Sequence, residues 1–417
     1  MMPHVSDQRA DHLAPLTGLR FLAALLVVLF HFLPQHVAPA PGPLHLTTRI
    51  IHNIVASGFT GVGFFFILSG FILAYTYLHP RRRRRVGARD FWLARVARVY
   101  PLYIVAFLAA AIPFLPWGEH NHGVAAALAS VTLVQAWIPH LAGVWNSPGW
   151  SLSAEAFFYA LFPLIALAVA RLGRRGLILL AAAAWAILVT IALAYLALAP
   201  DGPWTPMHGA WYNHDWLKAV YMNPLARLPE FVLGVALGRI FLLDDARRVG
   251  VPWRCRIGPG WLSVAALLGI VAVCAYGPWP VVLVTQAVLD PLFALLIYSL
   301  AFRVGPLAAA LSVPLVVLLG EASYALYILH WVAWDTMSRV LRPLSPLLDN
   351  GDIFFAVYLA VVLVLSVAAV RVVERPARRV LAHVCARRGT DRDGPQHAEP
   401  YRTPDSRVRG LDATRAS

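Results

Sequence analysis

Long apolar runs alternate with short polar connections along most of the chain, and each run is about as long as a membrane-spanning helix. The predicted spans are residues 16–34, 60–79, 100–115, 150–171, 177–199, 219–243, 260–277, 281–302, 314–337 and 353–373. The pattern therefore predicts an all-α fold, a polytopic membrane helix bundle of about ten transmembrane helices. We expect one membrane domain at 16–380, a short lead-in at 1–15 and a polar, disordered tail at 386–417.

The segment at 124–138 is rich in glycine and alanine and shorter than a normal span, so its path decides the topology. If it does not cross, the main basic connections fall on one side of the membrane: Arg81–Arg98, Arg171–Arg175, Arg247–Arg256, Arg303 and Arg371–Arg388. Cytoplasmic loops carry an excess of arginine and lysine. We therefore expect a re-entrant or interfacial segment at 124–138, with the lead-in, the tail and both termini in the cytoplasm.

The composition supports a membrane protein and removes several other classes. The 417 residues are 59% hydrophobic and 13% charged, with a mean hydropathy of +0.65, which is too apolar for a soluble chain. The net charge of +14 lies largely in the connections, so it indicates orientation in a lipid membrane rather than nucleic-acid binding. Cys255, Cys274 and Cys385 are scattered, so we expect neither a disulfide framework nor a metal site. The expected location is the inner (plasma) membrane.

The first predicted helix carries two ionisable residues, Arg20 and His31. They are eleven positions apart, which places them about 16 Å apart along the axis on nearly the same face. Ionisable groups in a membrane helix are costly and usually face the protein interior, so the pair is a candidate for function. The alternatives are an arginine that reaches lipid phosphates and an interfacial histidine.

Two further groups of polar residues are candidates near the ends of the first helices. Arg95 and Arg98 are spaced i, i+3, so they share a helix face and could bind one multiply charged anion, or else lipid headgroups. Glu155 follows the Pro148-Gly149 turn, and the topology predicts it on the same outer side as His31. There it would orient a histidine or accept a sugar hydroxyl, unless it only stabilises the helix dipole.

The second half of the chain offers four more candidates for binding an acceptor. Arg227 and Glu230 are spaced i, i+3 and could instead form a buried ion pair. Tyr327 and His330 cluster with other aromatic residues at helical spacing, a pattern that interfacial packing also explains.

A cluster of arginines on the inner side and a base on the outer side suit a donor with a phosphate-rich head and a long flexible arm. Acyl-CoA has both features. Its phosphates would lie at the arginines and its thioester near His31, whose imidazole could take a proton from an incoming hydroxyl near neutral pH.

Over roughly residues 13–380 the sequence resembles acyltransferase family 3, integral membrane O-acyltransferases that modify extracytoplasmic sugars and some natural products. The residues that carry the resemblance are Arg20 and His31 in helix one, Gly63-Phe64-Phe65-Phe66-Ile67-Leu68-Ser69-Gly70-Phe71, Arg95 and Arg98 before Tyr100-Pro101, Trp150-Ser151-Leu152-Ser153-Ala154-Glu155, Pro229-Glu230-Phe231, and Ser323-Tyr324-Ala325-Leu326-Tyr327 with His330-Trp331. Each motif is weak alone, and the order of all six makes the resemblance specific.

The resemblance implies transfer of an acyl group, acetyl or another short chain, from cytosolic acyl-CoA to a hydroxyl of an extracytoplasmic glycan or glycoconjugate. By this analogy His31 is the essential catalytic residue, Arg20 is its partner along the helix, and Arg95 and Arg98 contact the coenzyme. We expect direct attack of the acceptor on the thioester. An acyl-enzyme on Ser69, which we otherwise place among the donor-binding residues, is the weaker alternative.

Two other interpretations stay open at this stage. The acceptor could be a macrolide-like or other small hydroxylated metabolite instead of a glycan. The chain could also be a transporter or lipid flippase that uses Arg20, His31 and Glu155 as a path, although it shows no inverted internal repeat.

Overall fold

A computed structural model describes residues 13–36, 46–79, 87–111, 123–202, 214–247, 258–277 and 279–380. The described residues form helices and turns without a β-strand. The helices of the first half are α1 (Ala14–His36), α2 (Leu46–Ala56), α3 (Gly61–Tyr77), α4 (Ala88–Ala111), α5 (Val124–Val131), α6 (Trp150–Ala170) and α7 (Arg174–Leu198). Those of the second half are α8 (Asp215–Tyr221), α9 (Pro224–Arg247), α10 (Gly258–Tyr276), α11 (Val281–Ala301), α12 (Pro306–Leu311), α13 (Pro314–Glu321), α14 (Ser323–Leu344) and α15 (Gly351–Val380).

Among the described residues, eight helical stretches are long and apolar enough to cross a membrane, and α13 with α14 makes a ninth if the bent pair is one span. Helix α9 is not among them because it carries several charged residues. Its 24 residues would still reach about 36 Å, more than a bilayer core. The predicted class, an all-α polytopic bundle of about ten helices, is therefore confirmed.

Helix α3 lies at the centre of the bundle and packs most extensively against α9. Both helices place glycines at the contact: a Cβ atom added to Gly234 would lie 2.0 Å from the carbonyl oxygen of Ile67, and one added to Gly70 would lie 2.2 Å from that of Phe231. Small residues allow such close approach between membrane helices. This contact holds α3 in place. Together with α1, α6 and α14, helix α3 lines the cavities described below.

The segment that follows α4 does not form a span. Helix α5 has eight residues, about 12 Å, which is too short to cross a bilayer. Short 3₁₀ turns at Gln135–Trp137, Pro139–Leu141 and Ser147–Gly149 then lead into α6. This agrees with the prediction that 124–138 is not a spanning helix, while the orientation of the termini stays a prediction.

Three predicted helices need correction. The third begins at Ala88 instead of near residue 100, so Arg95 and Arg98 lie within α4. The predicted helix 219–243 is divided into α8 and α9, because Pro224 disfavours a helical conformation at the residue before it. The predicted helix 314–337 bends by 62° between α13 and α14.

Several predictions lie outside the described residues. They are the lead-in at 1–12, the run Arg81–Arg85 and the tail at 386–417.

Candidate active site

A cavity with an empty volume of about 840 Å³ lies between α1, α3, α4, α6 and α14. Its lining includes three of the predicted site residues with positive charge, Arg20 from α1 and Arg95 and Arg98 from α4. We call it the arginine cavity. The i, i+3 spacing of the two α4 residues turns both toward the same space, which agrees with the predicted shared face.

A hydrogen-bonded group of three side chains lies in the same cavity. Glu155 on α6 accepts hydrogen bonds from the hydroxyl of Ser69 on α3 (3.0 Å) and from the hydroxyl of Tyr159 one turn further along α6 (2.5 Å). The cavity wall therefore contains three guanidinium groups and one carboxylate. This excess of positive charge suits a ligand with several phosphate groups.

Aromatic rings hold the guanidinium group of Arg95. Its Cζ atom lies 5.9 Å from the ring centre of Tyr77, 5.8 Å from that of Phe91 and 6.0 Å from that of Tyr159. These are cation–π distances. The Nε atom of Arg95 is buried and has no hydrogen-bond partner among the described residues. Its side chain is thus held in place while part of its hydrogen-bonding capacity is unused.

A second, smaller cavity surrounds His31. It has an empty volume of about 330 Å³, and its other lining residues are mostly apolar or aromatic: Val27, Phe30, Phe59, Val62, Ser147, Pro148, Trp150, Tyr221, Met222 and Tyr327. We call it the histidine cavity. Tyr221 donates a hydrogen bond from its hydroxyl to the carbonyl oxygen of Phe59 (2.8 Å), which fixes one wall.

His31 is in contact with a second histidine from α14. Nδ1 of His31 lies 2.9 Å from the carbonyl oxygen of Val27 and 3.2 Å from Nε2 of His330. The ring of Trp331 lies edge-on to that of His31, with the centres 5.3 Å apart. His330 is completely buried, so it is behind the imidazole of His31 and does not line the histidine cavity.

The two cavities are neighbours. Val62 from α3 and Tyr327 from α14 line both of them. Tyr327 donates a hydrogen bond to the carbonyl oxygen of Pro148 (3.2 Å), so this wall is tied to the start of α6. The two cavities that contain Arg20 and His31 thus adjoin within the bundle, as the spacing along α1 predicts.

The structure places Glu155 and His31 at different cavities, so it gives no support to the predicted contact between them, and a catalytic role of Glu155 stays a prediction. Glu155 lines the arginine cavity and not the histidine cavity. The reason is where α6 begins: Pro148 lies at the histidine cavity, and Glu155 follows seven residues later, about 10 Å further along the helix. Ser69 lies in the arginine cavity beside Glu155, and its predicted part in donor binding stays a prediction.

The prediction that Arg227 and Glu230 bind a substrate is not supported either. Both side chains are completely buried, and Nη2 of Arg227 lies 2.9 Å from Oε1 of Glu230. Neither residue lines either cavity. The guanidinium also lies over the rings of Phe66 (5.6 Å) and Tyr221 (5.2 Å). The buried ion pair, which the sequence left open as the alternative, describes their position better.

Sequence reasoning missed other residues at the two cavities. Tyr159 lies four residues after Glu155, and this i, i+4 spacing could have suggested their contact. Phe59 and Tyr221 line the histidine cavity but lie 162 positions apart in the sequence. No local pattern signals such a pair. Among the described residues, no group of three His, Cys, Asp or Glu side chains is placed to hold a metal ion.

The comparisons with known proteins identify the family of the chain. A family model described as an acyltransferase domain matches residues 14–371. The chain belongs to acyltransferase family 3. No solved structure matches it.

Three relatives illustrate the range of the family. The acyltransferase MdmB from Streptomyces mycarofaciens is 35% identical over 348 residues, which are 78% of this chain and 79% of MdmB. The exopolysaccharide production protein ExoZ from Rhizobium meliloti (strain 1021) is 28% identical over 363 residues, 82% of this chain and 98% of ExoZ. YrhL from Bacillus subtilis (strain 168), provisionally named a peptidoglycan O-acetyltransferase, is 28% identical over 171 residues, 38% of this chain and 24% of YrhL.

Membership of acyltransferase family 3 decides between the classes that the sequence left open. The protein is a multi-pass membrane O-acyltransferase, an enzyme that moves an acyl group other than an aminoacyl group from a donor to a hydroxylated acceptor. The transporter or flippase interpretation is therefore not retained.

Proposed function

We propose that this protein transfers an acetyl or other short acyl group from cytosolic acyl-CoA to a hydroxyl of an extracytoplasmic glycan or glycoconjugate. One observation carries the proposal: a cavity with three arginines adjoins the cavity that contains His31, and Val62 and Tyr327 are common to both. A donor bound in both places would have its phosphates at the guanidinium groups and its thioester at the imidazole.

The arginine cavity suits the nucleotide end of the donor. Phosphate groups form strong charge-assisted hydrogen bonds with arginine, and here Arg95 has a buried Nε atom with no hydrogen-bond partner in the described part of the chain. Arg20, Arg95 and Arg98 would bind the phosphates. Glu155, with Ser69 as its hydrogen-bond donor, would accept hydrogen bonds from the amide groups of the pantetheine arm.

The transfer step needs one base. In the proposed step His31 takes the proton of the acceptor hydroxyl while the hydroxyl oxygen attacks the carbonyl carbon of the thioester. The carbon–sulfur bond then breaks, the acyl group stays on the acceptor oxygen, and the sulfur of coenzyme A leaves with the proton from His31. This direct route needs no acyl-enzyme on Ser69, whose hydroxyl donates to Glu155.

The names of two relatives support a glycan as the acceptor. ExoZ is named for exopolysaccharide production, and the provisional name of YrhL refers to O-acetylation of peptidoglycan. The distribution of arginines supports an orientation with the termini and the arginine cavity toward the cytoplasm, where acyl-CoA is made. In this proposal the membrane domain at 16–380 carries the activity, and it lies in the plasma membrane.

The proposal is tested with inside-out membrane vesicles, which present the cytoplasmic face to the added donor. [1-¹⁴C]Acetyl-CoA is supplied outside, and both the release of free coenzyme A thiol and the label in lumenal glycans are measured, with vesicles lacking the protein as the control. We expect both signals to depend on the protein. Mass spectrometry of glycans and small-molecule extracts then identifies the acceptor. Protein-dependent label found solely in a small metabolite would reject the glycan, and no thiol release with C2 to C6 acyl-CoA would reject the donor.

A further inference from the structure

The contacts of His330 determine which of its ring nitrogens carries a proton. Nδ1 of His330 lies 2.6 Å from the carbonyl oxygen of Tyr327. A carbonyl oxygen accepts hydrogen bonds but cannot donate them, so Nδ1 of His330 carries the hydrogen. In a neutral imidazole the other nitrogen, Nε2, is then an acceptor. That acceptor lies 3.2 Å from Nδ1 of His31.

The same reasoning applies to His31. Its Nδ1 atom faces two acceptors, the carbonyl oxygen of Val27 at 2.9 Å and Nε2 of His330 at 3.2 Å. Both contacts are satisfied when Nδ1 of His31 carries a hydrogen that the two acceptors share. The basic lone pair of His31 is then on Nε2, the nitrogen that would have to take the proton from the acceptor hydroxyl.

We infer that His330 is a positioning residue for the catalytic base: together with the carbonyl oxygen of Val27 it holds His31 with the hydrogen on Nδ1, and it fixes the rotation of the ring. This inference rests on the proposed function, since it assigns the group that orients the proposed base. It replaces the predicted role of His330 in binding the acceptor. The contact with His330 also becomes stronger when His31 takes up a proton, because an N–H of a charged imidazolium is a better donor than that of a neutral ring.

The surroundings of His330 suit this role because they leave it little freedom. The residue is completely buried. Its own carbonyl oxygen accepts a hydrogen bond from the hydroxyl of Tyr358 on α15 (3.0 Å), and Asn146 donates to the carbonyl oxygen of Ile328 (2.9 Å). Helix α14 is therefore held from two sides at the turn that presents His330. A residue that binds the acceptor needs an exposed side chain, and the side chain of His330 is buried.

Two amide substitutions separate the positioning role from a packing role. In His330→Asn the side-chain amide can still donate to the carbonyl of Tyr327 but is too short to reach His31. In His330→Gln the longer side chain can place an acceptor oxygen near Nδ1 of His31. Both variants are polar and smaller than or close to histidine in size, so neither overfills the site.

We expect His330→Asn to lower kcat about 10- to 100-fold, the range for losing a hydrogen bond to a charged group, with no change in binding of acyl-CoA. His330→Gln should keep activity within a few-fold of wild type. His140→Asn, at an exposed histidine in the 3₁₀ turn Pro139–Leu141, is the matched control and should behave as wild type. Each protein is reconstituted in nanodiscs, and its melting temperature is recorded.

A spectroscopic measurement tests the tautomer directly. In ¹⁵N-histidine-labelled protein, His31 should show a protonated Nδ1 and an unprotonated Nε2 in wild type and in both variants, since the carbonyl oxygen of Val27 remains. The Nδ1 resonance of His31 should shift in His330→Asn, which loses the second acceptor, and should stay close to that of wild type in His330→Gln. Equal activity of the two variants, or an unchanged Nδ1 resonance of His31 in His330→Asn, would overturn the inference. If His31→Ala itself keeps full activity, the proposed function fails instead, so the two failures are distinguishable.

Discussion

The arginine cavity and the histidine cavity adjoin, yet they differ in size, charge and composition. The first has an empty volume of about 840 Å³ and places three guanidinium groups around one carboxylate. The second has about 330 Å³, and its walls are mostly apolar and aromatic around His31. The chain therefore separates a cationic region from a region suited to proton transfer, although one helix, α1, contributes to both.

This separation has a physical reason. Guanidinium groups close to the imidazole would disfavour its protonated form, which the proposed mechanism requires during transfer. Placing Arg20 about three turns away from His31 along α1 keeps the strong charges at a distance. Binding energy from remote phosphates can still be used to hold the reacting group in position. The comparison predicts that substitutions in the histidine cavity act mainly on kcat, and those in the arginine cavity mainly on KM.

The largest effect is expected for His31→Ala. General base catalysis contributes about 10²- to 10⁴-fold, so kcat should fall by that factor while the protein still binds acyl-CoA. Transfer is measured by thiol release, and binding by isothermal titration with a non-hydrolysable thioether analogue of acetyl-CoA. The matched control is His140→Ala, which removes an exposed imidazole. Near-normal turnover of His31→Ala would show that His31 is not the base and that proton transfer does not take place in the histidine cavity.

A smaller effect of a different kind is expected for Arg98→Gln. Losing a charge-assisted hydrogen bond to phosphate should raise KM for acyl-CoA about 10- to 100-fold and change kcat little. Arg89→Gln is the matched control, because Arg89 is an exposed arginine on the same helix. Steady-state kinetics at several salt concentrations check the result, since the wild-type KM should rise with salt more steeply than that of the variant. A loss of kcat at unchanged KM would contradict the division between the cavities.

The apolar pattern was sufficient to predict the fold class, because membrane helices must satisfy their backbone hydrogen bonds internally and must be long and apolar. It failed where the chain departs from straight helices. The break between α8 and α9 before Pro224 could have been predicted from the proline alone. The 62° bend between α13 and α14 could not, because it depends on packing: Gly320 lies so close to α1 that an added Cβ would be 1.9 Å from the carbonyl oxygen of Thr17.

The candidate site shows the same limit: the relative positions of residues on one helix could be predicted, and contacts between distant segments could not. The pairs Arg20–His31 and Arg95–Arg98 each lie on a single helix, so spacing alone could place them relative to each other. Spacing could not place Glu155, because its depth depends on where α6 begins, and there the carbonyl oxygen of Pro148 accepts a hydrogen bond from Tyr327, which is 179 positions away. Spacing could suggest a pair at Arg227 and Glu230 but could not tell a buried pair from one that faces a cavity.

The smallest effect is expected on the preference for acyl chain length, and it tests whether the acyl group lies in the histidine cavity. If the acyl group lies in the histidine cavity, its length is limited by the buried side chains of Phe59, Trp150 and Tyr221. Trp150→Phe removes part of this wall but keeps an aromatic ring at the start of α6. Burial of one methylene contributes about 0.8 kcal/mol, so kcat/KM for propionyl-CoA should rise about fourfold relative to acetyl-CoA.

This ratio is measured by competition between the two donors, because both then react with the same enzyme preparation and any loss of folded protein cancels. Trp261→Phe is the matched control, since Trp261 on α10 is 64% exposed and lines neither cavity. An unchanged ratio in Trp150→Phe would mean that the acyl group does not occupy the histidine cavity. The thioester would then react on the arginine side of Val62 and Tyr327, outside the cavity that His31 lines.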